Sequence, residues 1–350
     1  QRVLARLAEH WTQAGRRVAV VTLAGPDGDF HRLPPTVRRI ALGVAGVSSG
    51  LVPGLVANLR RIRALRRALR ATRARVVVSL VGPTNVLTVL AARGLGCRVV
   101  VSERNDPARQ SFGRIWDRLR RLVYPRADLV TANSRGALAA LAGCVPASRL
   151  AYVPNPLDFP RSGDAPERDP LILAVGRLHR QKAFDVLLDA FARIAPRHPD
   201  WRLAVVGDGD EGPALRSRAQ ALGIAGRVDW AGIVDDVAPW YRRAAVFALP
   251  SRHEGMPNAL LEAMAHGLPP VISDALPGPL DLIVDGDSGL VTRVGDAADL
   301  ATALARLIDD ASLRRQIGAA ARARIATAQP AGEAFAAWDR ALGLAAQPAE

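Results

Sequence analysis

The apolar residues of the chain recur in short runs, and amphipathic segments with helical spacing separate these runs. Runs rich in β-branched residues predict the buried strands of a parallel sheet, and the amphipathic segments predict helices that cover both of its faces. The chain is therefore predicted to be an α/β protein. The predicted strands are Val18–Leu23, Val76–Leu80, Arg98–Ser102, Asp128–Ala132, Leu171–Val175, Trp201–Val206, Arg227–Trp230, Ala245–Leu249, Pro270–Ser273 and Leu290–Thr292.

The alternation of strands and helices is interrupted once. Pro154 and Pro156 cannot continue a regular element, and the following segment Arg161–Pro170 is polar. We place an interdomain linker from Pro154 to Asp169, which predicts two Rossmann-like domains with a ligand cleft between the carboxyl ends of their strands. The predicted division is a first domain, residues 1–155, a second domain, residues 156–330, and a helix in residues 331–350 that packs back toward the first domain.

Composition narrows the class of protein. The chain has 350 residues, 49% hydrophobic and 23% charged, as expected for a soluble globular protein with two cores. The net charge is +14, but only 5% of residues are aromatic, so base-stacking platforms for nucleic acid are scarce. The two cysteines, Cys97 and Cys144, favour a reducing cytoplasm, and we find neither a membrane-spanning run nor a secretory signal.

A loop and a helix beginning at Asn258 follow the strand Ala245–Leu249. Gly255 and Pro257 form the turn, and Asn258 is predicted to be the N-cap of the helix. The free N–H groups and the dipole at this helix N-terminus predict an anion site, with a diphosphate as the natural occupant. Glu254 lies in the loop, and Glu262 lies one turn into the helix, at a depth where a carboxylate could bind the two hydroxyls of a ribose. Their alternative interpretation is one exposed loop acid and one helix-surface acid.

A second candidate site follows the strand Leu171–Val175. Arg177 and Lys182 can both bind phosphate, Arg177 as a bidentate fork and Lys182 as a point charge. Lys182 is the only lysine in a chain that uses arginine at every other basic position apart from histidine. The alternative is a chance lysine at a helix start, where the helix dipole disfavours a cation.

Together these stretches resemble the family 4 retaining glycosyltransferases, which have the two-domain GT-B fold. The resemblance covers almost the whole chain and is most specific in its second half. It rests on Val175–Leu178 with Gln181-Lys182, on Glu254 and Glu262 with seven residues between them, on Val153–Asp158, on Val206–Gly209, and on Gly278-Pro279 before Asp285-Gly286.

The resemblance implies roles for individual residues. Arg177 and Lys182 would hold the donor diphosphate, Glu262 the ribose and Glu254 the transferred sugar. The segment Ala231–Ile233 would lie along the nucleobase, and backbone amides near the start of the helix would complete the diphosphate cradle. The implied catalytic residues are Glu254, Arg177 and Lys182, and the implied donor-binding residues are Gly176, Arg177, Lys182, Gly232, Ile233, Glu254, Gly255, Met256, Pro257, Asn258, Ala259, Leu260 and Glu262.

The resemblance also implies a reaction, the transfer of a sugar with retention of configuration. The donor would be a UDP-sugar, with a GDP-sugar as second preference. The acceptor would be a glycan or a polyprenyl-linked molecule in polysaccharide or glycoconjugate biosynthesis. No metal or cofactor is expected. The alternative is a truncated or degenerate homologue that binds nucleotide without catalysis. A third interpretation is a nicotinamide dehydrogenase on a similar fold.

The chain departs from the family pattern in two places. Gln1-Arg2-Val3 is similar to residues just after the family's first strand and glycine-rich turn, so we expect that strand to be missing from the sequence. Many family members carry a histidine where this chain reads Ser102–Pro107. Glu103, Arg104 and Asn105 are therefore acceptor-side candidates, with a structural Glu103–Arg104 ion pair as the alternative.

Two arginine-rich helices and one acidic motif have simple interpretations. In Leu59–Arg75 we expect Leu59, Ile62, Leu65 and Leu69 to face inward and the arginines to be solvated; Arg114–Arg126 is similar. Contact with an anionic membrane is the alternative, which would place the protein on the inner face of the plasma membrane. Asp208-Gly209-Asp210 resembles a metal motif but suits a strand-to-helix turn better.

Overall fold

The chain folds into two compact units, one formed by Gln1–Pro156 with Gly332–Glu350 and the other by Leu157–Ala331. The structure is a computed structural model. Residues 161–167 of the predicted linker, together with Gln1, Asp106 and Ala331, lie outside the residues that it describes. The described residues are 2–25, 33–46, 50–105, 107–108, 111–160, 168–275, 278–330 and 332–344.

The first unit contains a two-stranded parallel pair, β1-β2, and a four-stranded parallel sheet in the order β3-β4-β5-β6. Strands β2 and β6 were not predicted. The elements of the first unit are α1 (Arg2–Gln13), β1 (Ala19–Thr22), β2 (Arg38–Ala41), α2 (Leu51–Thr72), β3 (Val76–Leu80), α3 (Gly82–Ala92), β4 (Arg98–Glu103), α4 (Arg114–Val123), β5 (Leu129–Ala132), α5 (Arg135–Ala142) and β6 (Leu150–Tyr152).

The second unit is a six-stranded, fully parallel sheet in the order β12-β11-β10-β7-β8-β9. Its strands are β7 (Leu171–Val175), β8 (Arg202–Val206), β9 (Val228–Gly232), β10 (Val246–Leu249), β11 (Pro270–Ser273) and β12 (Leu290–Thr292). Its helices are α6 (Phe184–Ile194), α7 (Gly212–Ala221), α8 (Ala238–Arg243), α9 (Asn258–Ala265), α10 (Ala297–Asp309) and α11 (Ala311–Ala328).

Both faces of this six-stranded sheet are buried. Along β7, Ile172 and Ala174 pack into one apolar cluster, together with α6 and α10. Leu171 and Leu173 point to the opposite face and pack with α9 and α11. Successive side chains of a strand point to opposite faces, so a strand covered on both sides must be apolar throughout. This explains why the strand appears in the sequence as a continuous apolar run.

The last helix, α12 (Glu333–Leu342), belongs to the first unit. Trp338 is fully buried and packs against Leu7 and Trp11 of α1. The indole N–H of Trp11 donates to Asp339 Oδ1 at 2.8 Å. The first unit therefore draws its core from segments at both ends of the described chain.

The prediction for the first arginine-rich helix is wrong in two respects. Helix α2 begins at Leu51 rather than Leu59, and the Leu59 side chain is 41% exposed rather than inward-facing. The part of the helix that packs on the core begins about one turn after Leu59, at Ile62, and includes Leu65, which is buried. Among the described residues, no helix is long and apolar enough to cross a membrane.

Candidate functional site

Two loops of the second unit meet at one edge of its sheet. Strands β7 and β10 are parallel neighbours, so their carboxyl ends lie side by side. The loop after β7 carries Arg177 and Lys182, and the loop after β10 carries Glu254 and leads into α9. The topology thus brings the two predicted donor segments together at the edge where α/β sheets bind ligands.

Lys182 and Glu254 form an ion pair. Lys182 Nζ donates to Glu254 Oε1 at 2.6 Å, and the two side chains are 18% and 6% exposed. Ser251 Oγ donates to the same carboxylate oxygen, also at 2.6 Å. Charge-assisted bonds of this length are strong, and they fix the carboxylate in one orientation.

Sequence reasoning missed Ser251 and its supporting residue, Ser273. Ser273 Oγ donates to the Ser251 carbonyl oxygen at 2.5 Å, which holds the start of the loop against β11. A serine at the end of a strand carries no pattern that distinguishes it from a solvent-facing serine. Its position three residues before Glu254 was the only available signal.

Side-chain contacts also join the two loops. Gln181 Nε2 donates to the His253 carbonyl oxygen at 2.9 Å, and the Arg252 N–H donates to the Gln181 carbonyl oxygen at 2.8 Å. The Arg252 guanidinium pairs with Asp185 at 2.7 Å. The Lys182–Glu254 pair is therefore held by contacts on either side of it.

Glycines allow close approach of the backbone around the site. A Cβ on Gly176 would lie 3.1 Å from Lys182 Cε, so the glycine leaves room for the lysine stem. A Cβ on Gly207 would lie 2.0 Å from the Gly176 carbonyl oxygen. A Cβ on Gly278 would lie only 1.5 Å from the Gly255 carbonyl oxygen, so the backbone there tolerates no side chain.

Helix α9 begins differently from the prediction. Its N-cap is Pro257, and no side chain caps it, so the prediction that Asn258 is the N-cap is wrong. Asn258 is instead the first helical residue. The N–H groups of Leu260 and Leu261 donate to the Pro257 carbonyl oxygen, which leaves Asn258 and Ala259 as the amides ahead of the first helical hydrogen bond.

The other predicted donor residues lie nearby at the same sheet edge or one turn along α9. Glu262 is 9% exposed on α9. Gly232 ends β9 in a left-handed conformation, with φ +64°, and its carbonyl oxygen accepts from the Gly207 N–H at 2.8 Å. Ile233 follows it and is 58% exposed. Arg177 points to solvent, 3.9 Å from Asp210.

The acceptor-side candidates of the first unit have two different environments. Glu103, at the end of β4, is buried, and its carboxylate accepts from the Tyr124 hydroxyl at 2.8 Å. Burial raises the pKa of Glu103. Arg104 does not pair with it: its guanidinium donates to Asn155 Oδ1 instead. The Glu103–Arg104 ion pair that sequence reasoning kept as an alternative is therefore not formed.

Family profiles match almost the whole chain. One described as "Glycosyl transferases group 1" matches residues 169–310, and one described as "Glycosyl transferase 4-like domain" matches residues 1–156. The chain belongs to the family 4 glycosyltransferases. The two Rossmann-like units correspondingly form the GT-B fold of that family. Among solved structures, HepE of Anabaena in complex with UDP and glucose superposes with a TM-score of 0.81 at 20% identity, covering 97% of this chain and 95% of that chain.

Curated relatives of this family 4 chain are named as glycosyltransferases. The lipopolysaccharide core biosynthesis glycosyltransferase LpsE of Rhizobium meliloti is 37% identical over 154 residues, which is 44% of either chain. The chain thus spans less than half the length of this relative. An undecaprenol-PP-linked glycan α-1,4-N-acetyl-D-galactosaminyltransferase of Campylobacter jejuni is 28% identical over 267 residues, covering 75% of this chain and 73% of that protein.

Proposed function

We propose that the chain transfers a sugar from a nucleoside-diphosphate sugar to a glycan or lipid-linked acceptor in polysaccharide or glycoconjugate biosynthesis. The observation that carries the proposal is the Lys182–Glu254 pair, 2.6 Å apart, at the adjacent carboxyl ends of β7 and β10 beside the N-terminus of α9. A cation, a carboxylate and the first amides of a helix in one place match the two reacting parts of such a donor: the diphosphate, which is the leaving group, and the hydroxylated sugar.

In this proposal Lys182, Arg177 and the first amides of α9 bind the diphosphate. Negative charge grows on the diphosphate as the bond to the sugar breaks, and fixed cations and amides stabilise that charge without reorganising. Glu254 lies at the transferred sugar and accepts from its hydroxyls. Glu262 binds the ribose, and the exposed Ile233 offers an apolar surface to the nucleobase. We propose retention of configuration and no requirement for a metal.

The ion pair has a consequence for donor binding. In the unliganded chain Glu254 supplies the counter-charge of Lys182, so the diphosphate must share this ammonium with the carboxylate. Lysine has three N–H donors, which lets one Nζ bind a phosphate oxygen and a carboxylate together. Ser251 keeps Glu254 bonded if the lysine turns toward phosphate.

We favour a UDP-sugar donor, with a GDP-sugar second. HepE, which has a similar fold, was solved with UDP and glucose, and the Campylobacter relative is named for the transfer of N-acetylgalactosamine to an undecaprenol-PP-linked acceptor. These names support a hexosyl or N-acetylhexosaminyl donor and an acceptor that is a glycan or is lipid-linked.

A lipid-linked acceptor requires access to a membrane, and we propose that α4 provides it. The exposed face of α4 carries two apolar side chains, Ile115 and Leu122, which are 58% and 55% exposed. Arg114, Arg118 and Arg121 are exposed on the same side of the helix. Apolar residues flanked by arginines are the pattern of a helix that lies on an anionic lipid surface.

The test is a thermal-shift panel of UDP, GDP, ADP and NAD, with and without magnesium, on wild type and on Lys182→Ala. A ligand at 100 times its dissociation constant should add about 2.7 kcal/mol of stability. We expect a magnesium-independent shift with UDP. In Lys182→Ala the affinity should fall about ten-fold or more, because one charge-assisted contact is lost.

Two variants serve as controls for this panel. Lys182→Arg keeps the charge and should retain most of the shift, while Arg193→Ala removes an exposed cation of α6 and should behave as wild type. Unchanged affinity in Lys182→Ala would refute the role of the lysine. A UDP shift without any turnover of UDP-sugars would support the non-catalytic nucleotide-binding alternative instead.

A further inference from the structure

The first unit contains a partly buried guanidinium group, that of Arg104, which has no carboxylate partner among the described residues. Arg104 directly follows β4, and one of its terminal nitrogens donates to Asn155 Oδ1. The other, Nη1, is shielded from solvent and has no hydrogen-bond partner. No carboxylate of the described residues forms an ion pair with Arg104, and burial lowers its pKa to about 10. The group therefore remains charged at neutral pH.

An unpaired acceptor lies beside this unpaired donor. Asn133 directly follows β5, and its Nδ2 donates to the same Asn155 Oδ1 at 3.2 Å. Its Oδ1 is buried and has no partner. Asn133 and Asn155 are 1% and 2% exposed. Arg104 and Asn133 thus both donate a hydrogen bond to the same oxygen, Asn155 Oδ1.

The fold places these three residues at a single sheet edge. Strands β4, β5 and β6 are consecutive parallel neighbours, and Arg104, Asn133 and Asn155 follow their respective carboxyl ends. That edge of a parallel sheet is where ligands bind. A shielded N–H of a charged group and a buried amide oxygen, each without a hydrogen-bond partner among the described residues, destabilise a protein unless a ligand or water satisfies them.

The neighbouring acid cannot supply the missing counter-charge. Glu103 precedes Arg104, but its carboxylate is engaged with the Tyr124 hydroxyl. Asn85 Nδ2 in turn donates to that hydroxyl at 3.1 Å. This chain of hydrogen bonds ties Glu103 to α3 and to the segment after α4, away from the guanidinium.

We propose that Arg104, Asn133 and Asn155 form a binding site for an anionic sugar. Arg104 Nη1 donates to a phosphoryl or carboxylate oxygen of the ligand, and Asn133 Oδ1 accepts from a neighbouring sugar hydroxyl. The inference rests on the proposed function and on the prediction that Arg104 is an acceptor-side residue: it makes that acceptor a sugar with a phosphate or carboxylate next to a free hydroxyl. A neutral sugar would leave the buried guanidinium uncompensated.

The test uses the whole chain, saturated with UDP so that the donor site is occupied. Glucose 1-phosphate, glucuronate, inorganic phosphate and methyl glucoside are titrated and binding is followed by ligand-observed NMR. We expect one of the two anionic sugars to bind more tightly than both inorganic phosphate and methyl glucoside, and the preferred one distinguishes phosphoryl from carboxylate recognition. In Arg104→Gln its affinity should fall about ten-fold or more.

Matched variants separate recognition from stability. Arg93→Gln removes an exposed arginine of the same unit and should bind as wild type. Asn133→Asp places a carboxylate beside Arg104, so it should raise thermal stability and abolish binding of the anionic sugars. Asn133→Asp therefore remains informative even if Arg104→Gln folds poorly.

The outcomes are distinguishable from those of the proposed function. Equal binding of methyl glucoside, binding of inorganic phosphate alone, or anionic-sugar binding unchanged in Arg104→Gln and Asn133→Asp would each overturn the inference. If UDP binds while none of the sugars does, this inference alone fails. If UDP itself does not bind, the proposed function fails.

Discussion

Glu262 lies on α9, eight residues after Glu254, and is almost fully buried. On a helix whose first amides point toward the sheet edge, a carboxylate one turn in reaches the part of a ligand next to its phosphates. This position favours the ribose over the diphosphate as its target. The two acids of the motif thus have separate roles in our proposal, one at each end of the donor.

Replacing Glu262 by alanine should therefore weaken the binding of UDP more than the binding of pyrophosphate. Two hydrogen bonds to ribose hydroxyls would be lost, so UDP affinity should fall about ten-fold or more, while pyrophosphate affinity stays close to wild type. Calorimetric titration of both ligands measures the difference. Equal losses for the two ligands would remove Glu262 from the ribose.

The buried Glu103 predicts a pH dependence of folding. Burial raises its pKa in the folded state. A carboxyl group with a raised folded-state pKa contributes its full stability at a pH below its unfolded value. That stability is lost as the pH rises through the folded-state pKa. Glutamine cannot ionise and still accepts a hydrogen bond from the Tyr124 hydroxyl.

Glu103→Gln should accordingly become more stable relative to wild type as the pH rises from the acid side toward neutrality. Urea unfolding of both proteins across that range gives the difference in free energy of unfolding at each pH. The other carboxylates contribute equally to the free energy of unfolding of both proteins, so their contributions cancel in this difference. A constant difference would show that the carboxyl group titrates normally.

At the residue scale, sequence patterns identified residues that the structure brings together, Lys182 and Glu254, but not the residues that support them. The lysine and the acids stood out because their residue types are rare or regularly spaced in an arginine-rich chain. Ser251 did not, because its contact depends on how one loop folds over the end of β10. The prediction that Asn258 caps α9 is wrong because Pro257, which has an extended backbone, occupies the N-cap position.

At the scale of elements, buried strands were predicted with accurate bounds. Pro270–Ser273 and Leu290–Thr292 end where expected, because their apolar runs are as long as the strands. Strands β2 and β6 were missed. Two of the four residues of β2, Arg38–Ala41, are arginines, and none of the three residues of β6, Leu150–Tyr152, is fully buried. Helix α11 was missed because alanines and arginines promote a helix without marking an apolar face.

The exposed face of α4 is the element whose role is most readily tested. Arg118→Glu reverses a charge in the middle of this face, and the affinity for vesicles containing anionic lipid should fall about ten-fold or more. Arg193→Glu makes the same change in α6 of the second unit and is the control. Co-sedimentation at low and high salt measures binding. Equal binding of both variants would exclude α4 as the contact.

At the scale of the whole molecule, the proposed donor residues all belong to the second unit, which is the continuous segment Leu157–Ala331. UDP should therefore slow amide hydrogen exchange first in the loops after β7 and β10 and at the start of α9. Exchange in β4, β5 and β6 should change least. Mass spectrometry of peptides with and without UDP tests this, and protection confined to the first unit would contradict the assignment.

The packing of α12 against α1 has a consequence for biosynthesis. The ribosome releases α1 early, but Trp338, which covers Leu7 and Trp11, is translated only after the entire second unit. Domains tend to fold in the order of their synthesis. The second unit is a continuous segment and can finish folding before α12 is translated. Until α12 is available, the apolar surface of α1 that Trp338 covers stays exposed in the first unit. The chain should therefore depend on chaperones most in the interval between the translation of α1 and the translation of α12.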